Sequence, residues 1–107
     1  MEKLSIIIPA YNEEKTVRKL VEKVIAVSFP FITSKEIIII NDASRDKTGE
    51  IINNLASTYN FVFAYSNKKN LGKSQSVKKG ILKSTGDVVI IQDADFEYEP
   101  KEIIDLL

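Results

Sequence analysis

The chain contains no cysteine, histidine or tryptophan. Without cysteine there is no disulfide framework and no thiolate nucleophile. Without histidine, the usual zinc sites, the Ser/His triads and imidazole general bases are excluded. Any catalysis must therefore use carboxylates, lysines, hydroxyl groups, backbone dipoles or a hard metal ion.

Long apolar runs and an excess of one charge are also missing. No stretch approaches the roughly 20 apolar residues that span a bilayer, and the first residues lead directly into a strand-like run instead of a signal-peptide core. The 15 basic and 15 acidic side chains balance, and 107 residues suffice for one domain with a real core. We therefore expect a soluble, uncleaved, cytoplasmic chain with no nucleic-acid partner.

The balanced net charge conceals two segments of opposite sign. Residues 67–86 contain six lysines and no acid, whereas residues 87–107 contain seven acids and only Lys101. The first segment suits an anionic ligand and the second suits a cation. Two solvated surfaces that differ in charge remain an alternative explanation.

Four short runs rich in β-branched or aromatic residues predict strands, at residues 4–8, 36–40, 61–65 and 87–91. Their apolar residues are continuous, which is typical of parallel strands covered by helices on both faces. The four strands alternate with four helical patterns, and this order favours a doubly wound sheet.

The helical patterns carry recognisable end signals. Asn12 is a good N-cap for the first helix and Asp46 for the second, whereas Gly86 is a plausible C-cap of the third. The first helix has apolar residues at Val17, Leu20, Val21, Val24 and Ile25; the third has a weaker stripe at Val77, Ile81 and Leu82. Pro100 opens a fourth predicted helix.

We predict a Rossmann-like α/β fold with a four-stranded parallel sheet in the order 3-2-1-4. In that order the winding reverses between strands one and four, and ligands bind outside the carboxyl ends of the strands. The loops after Ile8, Ile40 and Ile91 should therefore form the site.

Each of these loops carries polar or aromatic groups. The first, Pro9-Ala10-Tyr11-Asn12-Glu13, offers an aromatic face on which a planar base can pack, although a helix start would also explain it. In the second, Asp42 stands at a strand end, where a carboxylate can accept from a ribose hydroxyl or a base N–H. In this loop Asp46 suits a cap, and Ser44 and Thr48 suit turn roles.

The loop after the fourth strand contains Asp93 and Asp95, separated by one small residue. Two such carboxylates can face one ion, and at ~4 Å their repulsion is about 4 kcal/mol at an effective dielectric of 20. With oxygen ligands only, the candidates are Mg²⁺ or Mn²⁺. A solvated acidic turn before a helix is the alternative.

A phosphate-binding loop is a competing interpretation of residues 67–74. Gly72-Lys73-Ser74 matches the end of the P-loop pattern, but Asn67 stands where the first glycine belongs. The segment also follows two strand and helix units, whereas a P-loop normally follows the first strand of its core. A degenerate P-loop nucleotidase remains an alternative function.

Four motifs taken together resemble the nucleotide-sugar-binding half of a family 2 glycosyltransferase with the GT-A fold, especially the dolichol-phosphate mannosyltransferases and other polyprenyl-phosphate glycosyltransferases. The motifs are Ile8–Glu13, Glu36–Thr48, Asn70–Lys73 and Gly86–Pro100. The resemblance covers nearly the whole chain and implies an incomplete GT-A domain, with residues 1–107 as its donor-binding half. Asn41, Ser74 and Ser76 depart from the residues usual in the family.

The resemblance also implies residue roles. Pro9, Ala10, Tyr11 and Glu13 would line the nucleoside site, Asp42 would bind the base or ribose, and Gln92 and Lys73 would be supporting contacts. Asp93 and Asp95 would be the DxD pair on the Mg²⁺ or Mn²⁺ ion and the diphosphate.

The implied reaction is inverting transfer of a sugar from a nucleoside-diphosphate sugar, with a polyprenyl or dolichyl phosphate as acceptor. Such an acceptor implies a place at the membrane surface, and an exposed fourth-strand edge would favour self-association. We expect little transfer by these 107 residues alone, since a complete GT-A domain is about twice this length. A binding-only module without activity is the second alternative.

Overall fold

The computed structural model describes residues 2–28, 30 and 32–94. Within them, four strands and three helices alternate: β1 Glu2–Ala10, α1 Val17–Ala26, β2 Ile32–Asn41, α2 Thr48–Thr58, β3 Val62–Ser66, α3 Lys73–Lys83 and β4 Val88–Ile91. All strand pairs are parallel and the order is β3-β2-β1-β4, which confirms the predicted topology. Asp95 and the helix predicted from Pro100 lie outside the described residues.

The first helix and the second cover one face of the sheet. Alternate residues of β1, among them Leu4, Ile6 and Ile8, pack there with the buried side of α1 and with Ile52 and Leu55 of α2. The apolar residues predicted for α1 are buried, at Val17, Leu20, Val21 and Val24, with Ile25 packed against them. This face holds the larger core.

The third helix covers the other face, and it does so with small residues. Its buried positions are Ser76 and Gly80, whereas Ile81 and Leu82 are exposed, Leu82 to 85%. A Cβ added to Gly80 would lie 2.5 Å from Ile7 Cγ2, so the helix approaches β1 too closely for a larger residue. The predicted apolar stripe was therefore wrong for α3, because close packing and not hydrophobicity selects its buried side.

Two predicted helix ends were also wrong. Residue Thr16, not Asn12, precedes the first turn of α1, and Asn12 adopts a left-handed φ of 53° in the preceding loop. The end of α3 is Lys83 followed by Ser84 as C-cap, so Gly86 lies beyond it. Asn12 and Gly86 instead form hydrogen bonds with other parts of the chain, which are described below.

A cluster of polar residues lies under the connection from α3 to β4. The buried carboxylate of Glu36 in β2 accepts hydrogen bonds from Ser5 Oγ (2.6 Å), Thr85 N (2.7 Å) and Thr85 Oγ1 (3.1 Å). Lys3 Nζ lies 3.4 Å from its Oε1, and Gly86 N donates to Ser5 Oγ at 2.8 Å. We call these five residues the Glu36 cluster; it anchors the chain directly after α3.

Among the described residues, β4 lies at one edge of the sheet, and its Val89 and Ile91 are 37% and 43% exposed. No helix of the described residues is long and apolar enough to cross a membrane.

Candidate functional site

A cavity of about 280 Å³ opens at the carboxyl ends of β1, β2 and β4. Its walls bring together seven of the predicted site residues from four separate stretches of chain: Pro9, Ala10, Tyr11, Glu13, Asp42, Lys73 and Asp93. Ser76 and Ala94 complete the lining and were not predicted. The sequence signal for Ser76 was its departure from the small residue usual in the resembling family.

The loop after β1 is held in place by hydrogen bonds to the loop after β2. Asn12 N donates to Ser44 Oγ (3.0 Å), and Asn12 Oδ1 accepts from Arg45 N at 2.8 Å. Glu13 N donates to Thr48 Oγ1 at 2.8 Å. Because its side chain bonds the neighbouring loop, Asn12 cannot cap α1. The predicted turn roles of Ser44 and Thr48 therefore extend to fixing the loop that presents Tyr11, which is 42% exposed.

Asp46 caps the start of α2 with its side chain, although Lys47, and not Asp46, directly precedes the first helical residue Thr48. Its Oδ1 accepts from Thr48 N (2.9 Å) and from Thr48 Oγ1 (2.6 Å). Burial raises the pKa of the Asp46 carboxyl, but the hydrogen bonds from Thr48 and Glu14 N outweigh this effect and lower the pKa overall.

The carboxylate of Asp42 is enclosed by the segment before α3. Oδ1 accepts from Asn67 Nδ2 (2.9 Å) and Leu71 N (2.8 Å), and Oδ2 accepts from Gly72 N (2.9 Å) and Asn70 Nδ2 (3.0 Å). The residue is only 4% exposed. We call these five residues the Asp42 cluster.

These hydrogen bonds dominate the ionisation of Asp42. Burial raises the pKa of its carboxyl, but the donors Leu71 N, Asn67 and Gly72 N together lower it below the ordinary value. Asp42 is therefore a fixed anion whose four acceptor positions are each taken by a protein donor.

The same contacts argue against the P-loop interpretation. A P-loop cradles phosphate with the backbone N–H groups of its glycine-rich segment. Here the N–H groups of Leu71 and Gly72 point at the Asp42 carboxylate instead. A phosphate could not use them unless the Asp42 cluster were dismantled.

Lys73 and Asp93 form an ion pair across the cavity. The ammonium group of Lys73, the first residue of α3, contacts Asp93 Oδ1 directly. The Lys73 side chain is 60% exposed and that of Asp93 is 16% exposed. Both groups thus line the cavity, with the cation on the solvent side.

Gln92 lies behind this pair and does not line the cavity. Its side chain is fully buried, its backbone N–H donates to Ile7 O at 2.9 Å, and its Nε2 donates to Asp93 O at 3.3 Å. Within residues 2–94 as described, its Oε1 has no hydrogen-bond partner. Gln92 was predicted as a supporting contact of the nucleotide sugar, but in the structure its side chain contacts the backbone of the predicted ligand Asp93.

The donor set fits a hard divalent cation shared with a diphosphate. No group of three or more acidic residues among the described residues could hold a metal by itself. Mg²⁺ typically takes one or two protein carboxylates and completes its shell with water and substrate phosphate oxygens. Besides Asp42, whose oxygens are occupied by protein donors, the carboxylates of Glu13 and Asp93 line the cavity, and Asp93 also contacts the ammonium of Lys73.

The family model of glycosyl transferase family 2 matches residues 5–107, so the chain belongs to that family. The chain is 34% identical to the dolichyl-phosphate beta-glucosyltransferase ALG5A of Trichomonas vaginalis, with 97% of the chain and 36% of the relative covered. It is 33% identical to the undecaprenyl-phosphate 4-deoxy-4-formamido-L-arabinose transferase of Photorhabdus laumondii, with 96% and 32% covered. The chain thus spans about a third of the length of these relatives.

A solved structure confirms the GT-A fold. The mannosyltransferase PcManGT from Pyrobaculum calidifontis, in complex with GDP-Man and Mn2+, superposes with a TM-score of 0.78 at 23% identity. The match covers 88% of this chain and 28% of the mannosyltransferase.

Proposed function

We propose that this chain binds a nucleoside-diphosphate sugar in the cavity, and that the protein transfers the sugar to a polyprenyl phosphate with inversion at the anomeric carbon. One observation carries the proposal: an aromatic face, a cation and a carboxylate, from Tyr11, Lys73 and Asp93, line one cavity. The relatives whose names specify dolichyl-phosphate or undecaprenyl-phosphate support the acceptor class.

Different residues of the cavity would contact different parts of the nucleoside-diphosphate sugar. Tyr11 offers an exposed ring on which a base can stack, and Pro9 and Ala10 form the floor beside it. The ammonium group of Lys73 stands where it can offset the charge of the diphosphate. Asp93, with Asp95 as the second predicted ligand, would hold the Mg²⁺ or Mn²⁺ ion, which when bound neutralises diphosphate charge.

The chemical step is a single displacement. An oxygen of the acceptor phosphate attacks the anomeric carbon and forms the new C–O bond, while the bond to the diphosphate breaks and the leaving group takes its electron pair. A phosphate monoester is ionised at neutral pH, so the nucleophile needs no histidine to remove a proton. Lys73 stabilises the charge that develops on the leaving group.

Calorimetry tests donor binding and its metal dependence. Titrations of UDP and GDP in Mn²⁺ should show binding that a chelator abolishes, because carboxylates and diphosphate repel one another without a bridging cation. Asp93→Asn should reduce the affinity at least tenfold. Asp87→Asn is the matched control at the opposite end of the sheet, where Asp87 Oδ2 accepts from Lys3 N at 2.9 Å, and it should bind normally.

Each outcome has a distinct meaning. Binding that is equally tight with chelator would contradict the metal role of Asp93. Failure of every nucleoside diphosphate to bind would contradict the proposed function itself. A labelled-donor assay with polyprenyl phosphate then separates a transferase from a module that binds the donor without transfer.

A membrane-surface location is part of the proposal. Lys79 Nζ donates to Ser66 O (3.0 Å), and Lys83 lies 5.0 Å from the centre of the Tyr65 ring, so both serve the fold. The exposed side chains of Lys68, Lys69 and Lys78 support this location, since lysines near a membrane surface are attracted to anionic lipid headgroups. Replacing all three by Gln should weaken sedimentation with phosphatidylglycerol vesicles; unchanged sedimentation would contradict this assignment.

A further inference from the structure

We propose that Asp42 is a positioning residue for the diphosphate: it holds residues 67–72 in place and thereby sets Lys73 against Asp93, without itself touching the nucleoside. The first support is the saturation of its carboxylate. Two hydrogen bonds reach each oxygen, all from the protein, at 2.8 to 3.0 Å. A carboxylate has about four acceptor positions, so a direct bond to a ribose hydroxyl would require one of these donors to leave.

The second support is the place of the donors in the chain. Leu71 and Gly72 immediately precede Lys73, the first residue of α3. Gly72 has a φ of 92°, a conformation that glycine adopts easily and that needs external support to persist as a single state. The Asp42 carboxylate accepts from the N–H groups of two successive peptide units, those of Leu71 and Gly72, and so fixes the direction in which the chain enters α3.

The third support is the rest of the cluster. Asn67 Nδ2 also donates to the buried Ser76 Oγ at 3.1 Å, and Ser76 lines the cavity from the first turn of α3. The segment and the start of the helix are thus tied to one anion at the end of β2. Lys73, whose ammonium group contacts Asp93, is positioned by this arrangement.

Hydrogen exchange tests the structural part without any ligand. In Asp42→Asn the amide groups of Leu71 and Gly72 should exchange at least tenfold faster, because one acceptor oxygen becomes an NH2 group that faces other donors. Glu36→Gln is the matched control, since it alters another buried carboxylate whose donors lie in β1 and after α3, away from residues 67–72. It should leave these amides unchanged, and equal exchange rates in Asp42→Asn and the wild type would overturn the proposal.

Binding of inorganic pyrophosphate with Mn²⁺ tests the functional part, which rests on the proposed function. Pyrophosphate has no nucleoside, so a positioning role predicts about a tenfold loss of affinity in Asp42→Asn, whereas a direct nucleoside contact predicts no loss. In a double-mutant cycle, Lys73→Met and Asp42→Asn should each cost about tenfold and the pair little more than either alone. Unchanged pyrophosphate affinity in Asp42→Asn, or additive effects in the cycle, would overturn the proposal.

A variant that removes a single hydrogen bond of the Asp42 cluster disturbs the fold less than Asp42→Asn. Asn70→Ala removes one donor from Oδ2 at an exposed position and should weaken pyrophosphate binding two- to threefold. Wild-type affinity in this variant would count against the proposal. If the wild type binds neither pyrophosphate nor any nucleoside diphosphate, the proposed function is wrong, and hydrogen exchange at Leu71 and Gly72 alone decides the positioning role.

Discussion

The third helix is held at its two ends by two buried carboxylates of different design. At its start, Asp42 accepts only from amide groups, two of the backbone and two of side chains. At its end, Glu36 accepts from Ser5 and Thr85 and also faces the ammonium of Lys3. The Asp42 cluster borders the cavity, whereas the Glu36 cluster lies away from it. A buried, hydrogen-bonded carboxylate therefore supports the site in the first case and the fold in the second.

The comparison teaches that a buried carboxylate is not by itself a ligand for substrate. Both residues are nearly inaccessible, at 4% and 5% exposure. The two residues differ in where their partners lie in the chain. The donors to Asp42 all belong to residues 67–72, which lead into Lys73, whereas the partners of Glu36 belong to β1 and to the connection between α3 and β4.

The largest effect is expected for Gly86→Ala in the Glu36 cluster. A Cβ at this position would lie 2.4 Å from Ser5 Oγ and 2.8 Å from Ser5 N, so the backbone of β1 would have to move. We expect a loss of about 3 kcal/mol in the free energy of unfolding. Urea denaturation measures it, and a loss below about 1 kcal/mol would show that this end of α3 is loosely packed.

The next largest effect should be a loss of unfolding free energy at acid pH, to which both Asp42 and Glu36, at the two ends of α3, should contribute. The pKa of Asp42 and that of Glu36 are lowered: burial raises each, but hydrogen bonds outweigh it, with Lys3 contributing at Glu36. A lowered folded-state pKa stabilises the protein above the unfolded value, near pH 4, and this stability is lost as the pH falls through the folded value.

The test compares unfolding of Asp42→Asn and Glu36→Gln with the wild type at pH 7 and pH 3. Each variant should cost about 2 kcal/mol at pH 7 and less at pH 3, since pH 3 lies below the ordinary pKa of these carboxyls and the unfolded wild-type chain then takes up protons more readily than the folded one. A cost that is independent of pH would mean that the charge of the carboxylate contributes nothing.

Gly72→Ala should have an intermediate effect by a different mechanism. No heavy atom lies within 4 Å of the added Cβ, but the φ of 92° is unfavourable for any residue with a side chain. We expect a loss of about 1–2 kcal/mol in unfolding free energy together with weaker pyrophosphate binding. Gly86→Ala acts through crowding beyond the other end of α3, so it should leave pyrophosphate binding by the remaining folded protein unchanged. Weaker pyrophosphate binding in both variants would show that the two ends of α3 do not differ in their effect on the site.

The smallest effect is expected for Lys3→Met. The ammonium of Lys3 lies 3.4 Å from Glu36 Oε1, but its side chain is 38% exposed, and such pairs contribute about 0.5 kcal/mol. Added salt should weaken this pair in the wild type and have less effect in the variant. Equal salt dependence of unfolding in the two proteins would show that Glu36 is held by its neutral donors alone.

Much of the site was predictable because parallel strands end at a common edge. The loops after β1, β2 and β4 could be placed together from the strand order, and seven predicted residues do line one cavity. Asp95 lies outside the described residues, so its role stays a prediction. Ser76 departs from the residue usual in the family, but its place in the cavity was missed because its burial depends on the close approach of α3 to the sheet.

Local patterns failed where a side chain has a distant partner. Asn12 has the features of a helix cap, yet it bonds Ser44 and Arg45 more than 30 residues away. Ile81 and Leu82 predict a buried stripe, yet Gly80 faces Ile7 because α3 lies close to the sheet.

Strand and helix periodicity and turn residues are local properties, so they predicted the order of the elements, their parallel arrangement and the loops that bear the chemistry. The partners of each carboxylate followed only from the folded arrangement: Asp42 accepts from four amide groups, whereas Asp93 lines the cavity and contacts the ammonium of Lys73. Asp42 and Asp93 both lie within two residues of the end of a strand, but the partners of Asp42 come from residues 25 to 30 positions further along the chain. Hydrogen-bond saturation depends on such distant neighbours, and no pattern around Asp42 records them.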